Sequence, residues 1–325
     1  MDRRRLLQVA FALGITSSFY ALNATAADRP TTVRIGYQKS STLITVLRAN
    51  GELEKSLARL GVKVKWSEFS SGLPLLEALN VGAIDLSGDV ADTVPIFAQA
   101  AGAKLTYYAS EGPSPAAQAL IVAANSPIHS VADLRGKKVA VTKASGSHYF
   151  LIAALAKAGL KLKDIQPAYL TPADGRAAFE KGAVDAWVTW DPYVAAVEKQ
   201  ADARVLANGE GIASYQRYYL ASSSFAAARS DVLKLVYSKL KETGEWVKQN
   251  PEAAAQILAP AWGLDSAVIS VANSRRSYEI RSVSSDNLTE EQKIADTFFA
   301  ERALPKRINS SEAQVWSLDK QASAQ

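Results

Sequence analysis

The sequence predicts an α/β protein of two lobes, each a mostly parallel sheet flanked by helices, with a two-segment hinge between them. Three observations carry this. Segments with period-two alternation are separated by segments with helical spacing, the order that builds a parallel sheet covered on both faces. That order runs through twice, and Gly82-Ala83-Ile84-Asp85 returns as Gly182-Ala183-Val184-Asp185, each ending a short helix and opening a strand. Between the copies, Glu111-Gly112-Pro113-Ser114-Pro115 punctuates the chain. The repeat points to one module used twice, although a common helix-ending glycine would place Gly82 and Gly182 alike without shared ancestry.

In order, residues 33–37 alternate as a strand, 38–41 form a polar loop, and 42–60 follow helical spacing. A strand over 62–69, a short helix over 73–81, a strand over 83–87, a helix over 90–101 and a strand over 104–110 complete the first unit. The chain then crosses to a second unit. There, strands over 119–124, 138–142, near 169 and over 184–189 alternate with helical turns over 131–135 and helices over 147–158, 173–181 and 192–200. Residues 218–222 read as a returning strand, with the second crossing at 222–225. Beyond it the pattern is helical over 231–249, 251–258, 267–273 and 289–303, with Asn250-Pro251 and Leu304-Pro305 as stops. The expected division is a leader over 1–26, the first lobe over 27–114, the second over 115–221, and a helical return to the first lobe over 222–325.

The leader reads as a secretory signal. Arg3, Arg4 and Arg5 make a basic start, a largely apolar stretch follows over 6–22, and Ala24-Thr25-Ala26 offers small residues for cleavage near Ala26. The stretch falls short of the roughly 20 residues of a membrane span. Asp2-Arg3-Arg4-Arg5-Leu6-Leu7 leaves general secretory and twin-arginine export both open, and either ends outside the cytoplasm. No cysteine occurs among the 325 residues, so the fold is expected to stand on its core without cross-links. The leader holds three of the 37 basic and one of the 32 acidic residues, and its removal lowers the net charge from +5 to +3. That excess is too small and too scattered for nucleic acid. A monomer is expected.

The most informative stretch is Lys143-Ala144-Ser145-Gly146-Ser147-His148, between a strand and an amphipathic helix. A helix start exposes unpaired N–H groups and a positive dipole end, glycine lets the backbone approach a ligand, and serines add donors. Three sulfonate or phosphate oxygens can be satisfied there; an ordinary serine cap is the plainer alternative. Gln38, Lys39, Ser40 and Ser41 hold the matching place in the first lobe, where open α/β sheets put ligands. Asp89, after Gly88, and Asp191 end strands, either as caps of the helices that follow or as cleft residues able to bind a ligand hydroxyl or ammonium. Trp190 can pack on an alkyl chain, and Tyr37, Tyr215 and Tyr219 offer polar-tipped walls. Ser114, in the first crossing, completes the expected ligand-binding set.

Catalysis finds little support. His129 and His148 are the only histidines, no spaced carboxylate cluster suggests a metal, and no nucleophile elbow surrounds Ser145 or Ser147. The absence of phosphate-loop and dinucleotide fingerprints argues for no cofactor.

Together these segments resemble a family, the aliphatic sulfonate-binding proteins of bacterial ABC transporters, relatives of taurine- and nitrate-binding proteins. The likeness is carried by Arg34-Ile35-Gly36-Tyr37-Gln38-Lys39, Leu76-Glu77-Ala78-Leu79-Asn80-Val81-Gly82, Pro95-Ile96-Phe97-Ala98-Gln99-Ala100-Ala101-Gly102, Tyr169-Leu170-Thr171-Pro172-Ala173-Asp174 and Trp190-Asp191-Pro192-Tyr193. It implies a type II periplasmic binding protein that traps a small organic sulfonate anion between its lobes and delivers it to an inner-membrane permease. By that likeness Gln38, Asp89, Ser145, Gly146, Ser147, Trp190 and Asp191 fall where the family lines its cleft. Taurine, nitrate, another small anion or a pyrimidine remain alternative solutes, and an enzyme on the same frame the remote one.

Overall fold

The strand β1 (Thr32–Gln38) is buried from Ile35 to Gln38, as a central strand must be when both faces are covered. A computed structural model describes residues 31–318; the expected leader lies outside the described residues. After β1 come α1 (Thr42–Asn50), α2 (Glu52–Ala58), β2 (Lys63–Phe69), α3 (Gly72–Asn80), β3 (Leu86–Ser87), β4 (Val90–Ala91), α4 (Thr93–Ala100) and β5 (Leu105–Glu111). The single helix expected over 42–60 is two helices. Gly51 takes φ 67°, a left-handed conformation that ends α1 and restarts the chain as α2.

The chain then builds a second sheet with β6 (Gln118–Ala123), β7 (Lys138–Val141), α5 (Gly146–Lys157), β8 (Gln166–Tyr169), α6 (Pro172–Glu180), β9 (Ala186–Trp190), α7 (Tyr193–Gln200) and β10 (Ala203–Asn208). It returns through β11 (Arg217–Ser222), α8 (Ser223–Ala228), α9 (Ser230–Gln249), α10 (Pro251–Trp262), α11 (Ser266–Ser274), β12 (Ile280–Arg281), α12 (Ser285–Ala300) and β13 (Gln314–Val315). The first sheet runs β12-β5-β11-β3-β1-β2 and the second β10-β6-β9-β7-β8.

Both sheets are mixed rather than mostly parallel. β1 pairs parallel with β2 and β3, but β11 runs antiparallel to β3 and β5. The reason is topological: β5 carries the chain out of the first lobe and β11 carries it back, so neighbours with those roles must run in opposite directions. The pairing also moves the second crossing. Tyr218 to Ser222 pair with the first sheet, so the chain has already returned by Arg217, ahead of the return expected at 222–225. The edge strand β10 was not legible, since every one of its residues is partly or fully exposed.

The repeated tetrapeptide occupies the same place in both sheets. β2-β1-β3 and β8-β7-β9 share parallel pairing. Asp85 accepts from the Arg34 N–H at 2.8 Å, and Asp185 from the Lys138 N–H at 2.7 Å. The Asp85 and Asp185 N–H groups in turn donate to the carbonyls of Arg34 and Lys138, each at 2.8 Å. Helix-ending glycines at φ 72° and 67° account for Gly82 and Gly182. They do not account for an aspartate clamping the start of the central strand twice, which favours the common-module reading.

Packing fixes the frame around the cleft. Leu43 and Leu47 of α1 and Leu57 of α2 share one core with Val232, Val236 and Leu240 of α9. Phe150, Leu151 and Leu155 of α5 pack with Leu120, Val139 and Val188 of the second sheet. Two other clusters cross between the lobes: Trp190 joins the first-lobe residues Ala91, Val94 and Tyr218, and Ala195 and Ala196 of α7 meet Val268 and Ala272 of α11.

Candidate functional site

The carboxyl ends of β1 and β7 face each other across the gap between the sheets. Two chain crossings span it, over 112–117 and 209–216, tied together by the Ser114 N–H to the Ser214 carbonyl at 3.1 Å. The segment after α11 braces them: Ser277 donates its N–H to Ser114 Oγ at 3.0 Å and its hydroxyl to the Gly112 carbonyl at 2.8 Å.

Inside the gap, Gln38, Gly72, Ala91 and Val94 of the first lobe meet Ser145, Gly146 and Trp190 of the second, with Tyr215 and Arg217 along the returning chain. They enclose about 10 Å³, room for about one water. The lobes touch around it. Thr93 Oγ1 donates to the Ala144 carbonyl at 2.8 Å, and Arg275 pairs with Glu198 at 2.5 Å and Asp191 at 3.4 Å. A head group larger than water therefore enters only if the lobes separate. A larger groove of about 380 Å³ near Lys104 and Arg307 belongs to the first lobe alone.

At the cavity wall, the Ser145 hydroxyl donates to the Thr142 carbonyl at 2.7 Å and accepts from the His148 N–H at 3.2 Å. Both its bonds serve the cap, so the serine-cap reading holds for its side chain. The N–H groups of Gly146 and Ser147, first in α5, have no acceptor among the described residues. The buried Ser147 hydroxyl also lacks a partner among them.

Arg217 is the cation of the lining. Its Nε lies 2.5 Å from Asp89 Oδ2, its Nη1 donates to the Tyr215 hydroxyl at 2.9 Å, and its guanidinium sits 5.5 Å over the Tyr215 ring. Nη2 makes no hydrogen bond among the described residues. Behind it Arg276 reaches Asp89 at 3.2 Å and Glu111 at 2.7 Å and lies 5.0 Å over Tyr278. Asp89, Glu111, Arg217 and Arg276 are 0, 0, 1 and 4 % exposed, so two carboxylates and two guanidiniums share a dry site in balance. Burial works to raise the Asp89 carboxyl, but Arg217 and Arg276 hold it below the usual range. Tyr215 and Tyr278 sit at φ 51° and 52°, a region costly for bulky residues, at roughly 1–3 kcal/mol each. Each strained tyrosine lies two residues from the arginine it supports.

The expected residues therefore divide. Gln38, Ser145, Gly146, Trp190 and Tyr215 line the cavity. Gln38 also donates to the Asp89 carbonyl at 2.8 Å. Asp89 is not a helix cap, because Val90 and Ala91 pair with β11 and the helix begins at Thr93; it is the counter-ion behind the wall. Asp191, one residue before the N-cap Pro192, accepts from the Ala195 N–H in the first turn of α7 at 3.0 Å, and burial pushes its carboxyl up to about 7. Ser41 accepts from the Gln38 N–H at 3.1 Å, and Ser40 gives its carbonyl to Arg276 at 3.4 Å. Both shape the loop rather than face the cavity. Gly88 lies close to Tyr37, Ile44 and Ser41, Ser114 belongs to the hinge, and Tyr219 is buried beside Glu111 at 3.4 Å. Tyr37 bonds Glu68 and Arg48 instead of the cleft.

Arg217 and Arg276 escaped sequence reading. The first looks like the polar start of a strand and the second like part of a solvated turn, Ser274-Arg275-Arg276-Ser277. The available signal was an arginine two residues from a tyrosine in each case.

His148 packs between the lobes, 5.2 Å from Phe298 and 5.4 Å from Tyr169, with Nδ1 accepting from the Ala144 N–H at 3.3 Å and Nε2 unpartnered among the described residues. Burial, helped by Lys143, lowers it to about 4. The unfolded chain binds this proton near 6.5 and the native one near 4, so the native state loses stability as pH falls through that window. His148→Gln should remove the loss. Its stability relative to the wild type should improve by about 2 kcal/mol between roughly pH 7.5 and pH 5, measured by urea unfolding of both chains; a pH-independent difference would refute the assignment.

Residues 58–254 match the family model described as NMT1/THI5 like. A relative in Escherichia coli, provisionally named an aliphatic sulfonates-binding protein, is 41 % identical over 96 % of this chain and 97 % of its own. The crystal structure of the periplasmic aliphatic sulphonate binding protein from Escherichia coli superposes with a TM-score of 0.80 at 42 % identity, covering 89 % of this chain and 92 % of that one. The alkanesulfonate-binding protein of Xanthomonas axonopodis pv. citri, solved bound to MOPS, gives 0.83 at 38 % identity, covering 89 % and 99 %. With likeness running through both lobes, the chain belongs to the NMT1/THI5-like family and with the aliphatic sulfonate-binding proteins.

Proposed function

We propose that this chain captures an organic sulfonate in the interlobe cavity and, in the periplasm, hands it to the permease of an ABC importer for sulfur acquisition. The observation that carries the reading is the convergence on one closable cavity of the Arg217 guanidinium, the free N–H groups at the start of α5, and the Trp190 face. A sulfonate is ionised at any physiological pH and spreads its charge over three oxygens. It suits a fork of N–H donors facing a helix N-terminus. The indole offers its apolar tail a wall. Among the described residues no carboxylate lines the cavity, so nothing there is placed to take the ammonium of taurine. That favours a sulfonate without a primary ammonium group.

Ligand bridging both lobes stabilises the closed form by population shift. The test is mass spectrometry of whatever native protein releases on denaturation, with calorimetric titration of MOPS, ethanesulfonate, taurine and nitrate. The expected result is an organic sulfonate in the released fraction and binding of MOPS at micromolar Kd or tighter. Nitrate binding more tightly than MOPS and ethanesulfonate would overturn the assignment, and taurine doing so would overturn the preference against its ammonium.

A further inference from the structure

Arg276 and Glu111 stand outside the cavity lining, yet they belong to the same charge network as the cation inside it. Arg276 follows α11, far along the chain from Arg217, and both arginines reach the same oxygen, Asp89 Oδ2, at 3.2 Å and 2.5 Å. Its other donors are committed. Nε bonds Glu111 Oε1 at 2.8 Å, Nη2 also bonds Glu111 Oε2 at 2.7 Å, and Nη1 leans on the Ser40 carbonyl at 3.4 Å. Tyr278 holds the guanidinium face and is itself held by Thr42 at 3.1 Å and Asn273 at 2.6 Å.

Charge arithmetic gives this arrangement a consequence for binding. With Arg276 present, two carboxylates face two guanidiniums. Without it, Asp89 and Glu111 would face Arg217 alone, and an arriving anion would meet a site already carrying a net negative charge at low dielectric. We propose that Arg276 is a positioning residue for anion capture: by taking up the charges of Glu111 and part of Asp89, it leaves the positive charge of Arg217, whose Nη2 makes no hydrogen bond among the described residues, available to the ligand. The inference rests on the cleft being an anion site, and it adds that the anion's affinity is governed by a pair that never touches it.

The experiment titrates MOPS by calorimetry into the full chain and into R276Q, E111Q and the R276Q/E111Q double variant, with thermal melts as the folding control. R276Q should bind about 30-fold more weakly. E111Q should bind at least as tightly as the wild type, and the double variant, with charge balance restored, should return to within about threefold of it. A purely packing role predicts the opposite ordering, because the double variant removes more native contacts than either single one. R276Q binding like the wild type, or the double variant binding as weakly as R276Q, overturns the inference. If R276Q does not fold, E111Q and the double variant decide: E111Q binding more weakly than the wild type overturns it as well. A wild type that binds no sulfonate removes the cleft reading and this inference together, whereas the variant outcomes remove the inference alone.

Discussion

Arg217→Gln is expected to weaken binding of MOPS by about 100-fold or more. Arg217 is the cation that lines the interlobe cavity, and its Nη2 makes no hydrogen bond among the described residues. Truncating one partner of a desolvated, hydrogen-bonded charge pair costs roughly 2–5 kcal/mol of binding, and tenfold in affinity corresponds to about 1.4 kcal/mol. The same change removes an ion partner of Asp89, so the fold loses stability too, by about 3 kcal/mol. The two effects separate in one experiment: a urea titration gives the stability loss, and calorimetry below the transition gives the affinity of the folded fraction. Arg217→Lys keeps the charge but loses the planar fork and the stacking on Tyr215. It should fall between, about tenfold down. Affinity within about threefold of the wild type for Arg217→Gln would remove the guanidinium from the binding site.

Local chemistry decided what could be read from residues alone. The stretch from Ser145 to Ser147 was legible because a strand, a glycine between serines and an amphipathic helix occur in sequence order, and the structure puts Ser145 and Gly146 on the cavity wall. Gln38 was legible for the same reason at the end of β1. The helix break at Gly51 hides inside helical spacing, since one left-handed residue changes direction without disturbing the apolar pattern around it. Asp89 shows the opposite failure. Three residues before Asp92 and next to an apolar run it has the pattern of a helix cap, but Val90 and Ala91 are drawn into the sheet by β11, a strand more than a hundred residues later. Its real partners are Arg217 of that same strand and Arg276 still farther along the chain. A charge network assembled by the returning segment has no local signature, and neither does the antiparallel place of β11, which depends on where the chain must re-enter the first lobe.

Gly146→Val should cost about 100-fold in affinity for any ligand of the cleft while leaving each lobe folded, because it acts on closure alone. A Cβ at residue 146 would stand 2.6 and 2.7 Å from two carbons of the Tyr215 ring and 3.1 Å from Ala91. The ring cannot retreat cheaply. Its hydroxyl is held by Arg217 at 2.9 Å and its backbone is fixed at φ 51°. These contacts reach from the second lobe to the first lobe and the returning chain, so the clash exists only when the lobes meet. In the separated form the introduced valine would occupy the first turn of α5, where a β-branched residue costs a few tenths of a kcal/mol. Overpacking of this size costs about 1–3 kcal/mol. Confined to the closed state, it shifts the open–closed balance by about 5- to 150-fold and reduces apparent affinity by the same factor. Small-angle scattering should show a radius of gyration larger than the wild type's that does not contract when MOPS is added, and the loss should be equal for charged and uncharged ligands. Arg217→Gln acts first on anion recognition, with a loss that depends on ligand charge, so the pair of variants separates the charge that recognises the head group from the motion that encloses it. Wild-type affinity in Gly146→Val would mean that the lobes need not approach this closely for the ligand to be held.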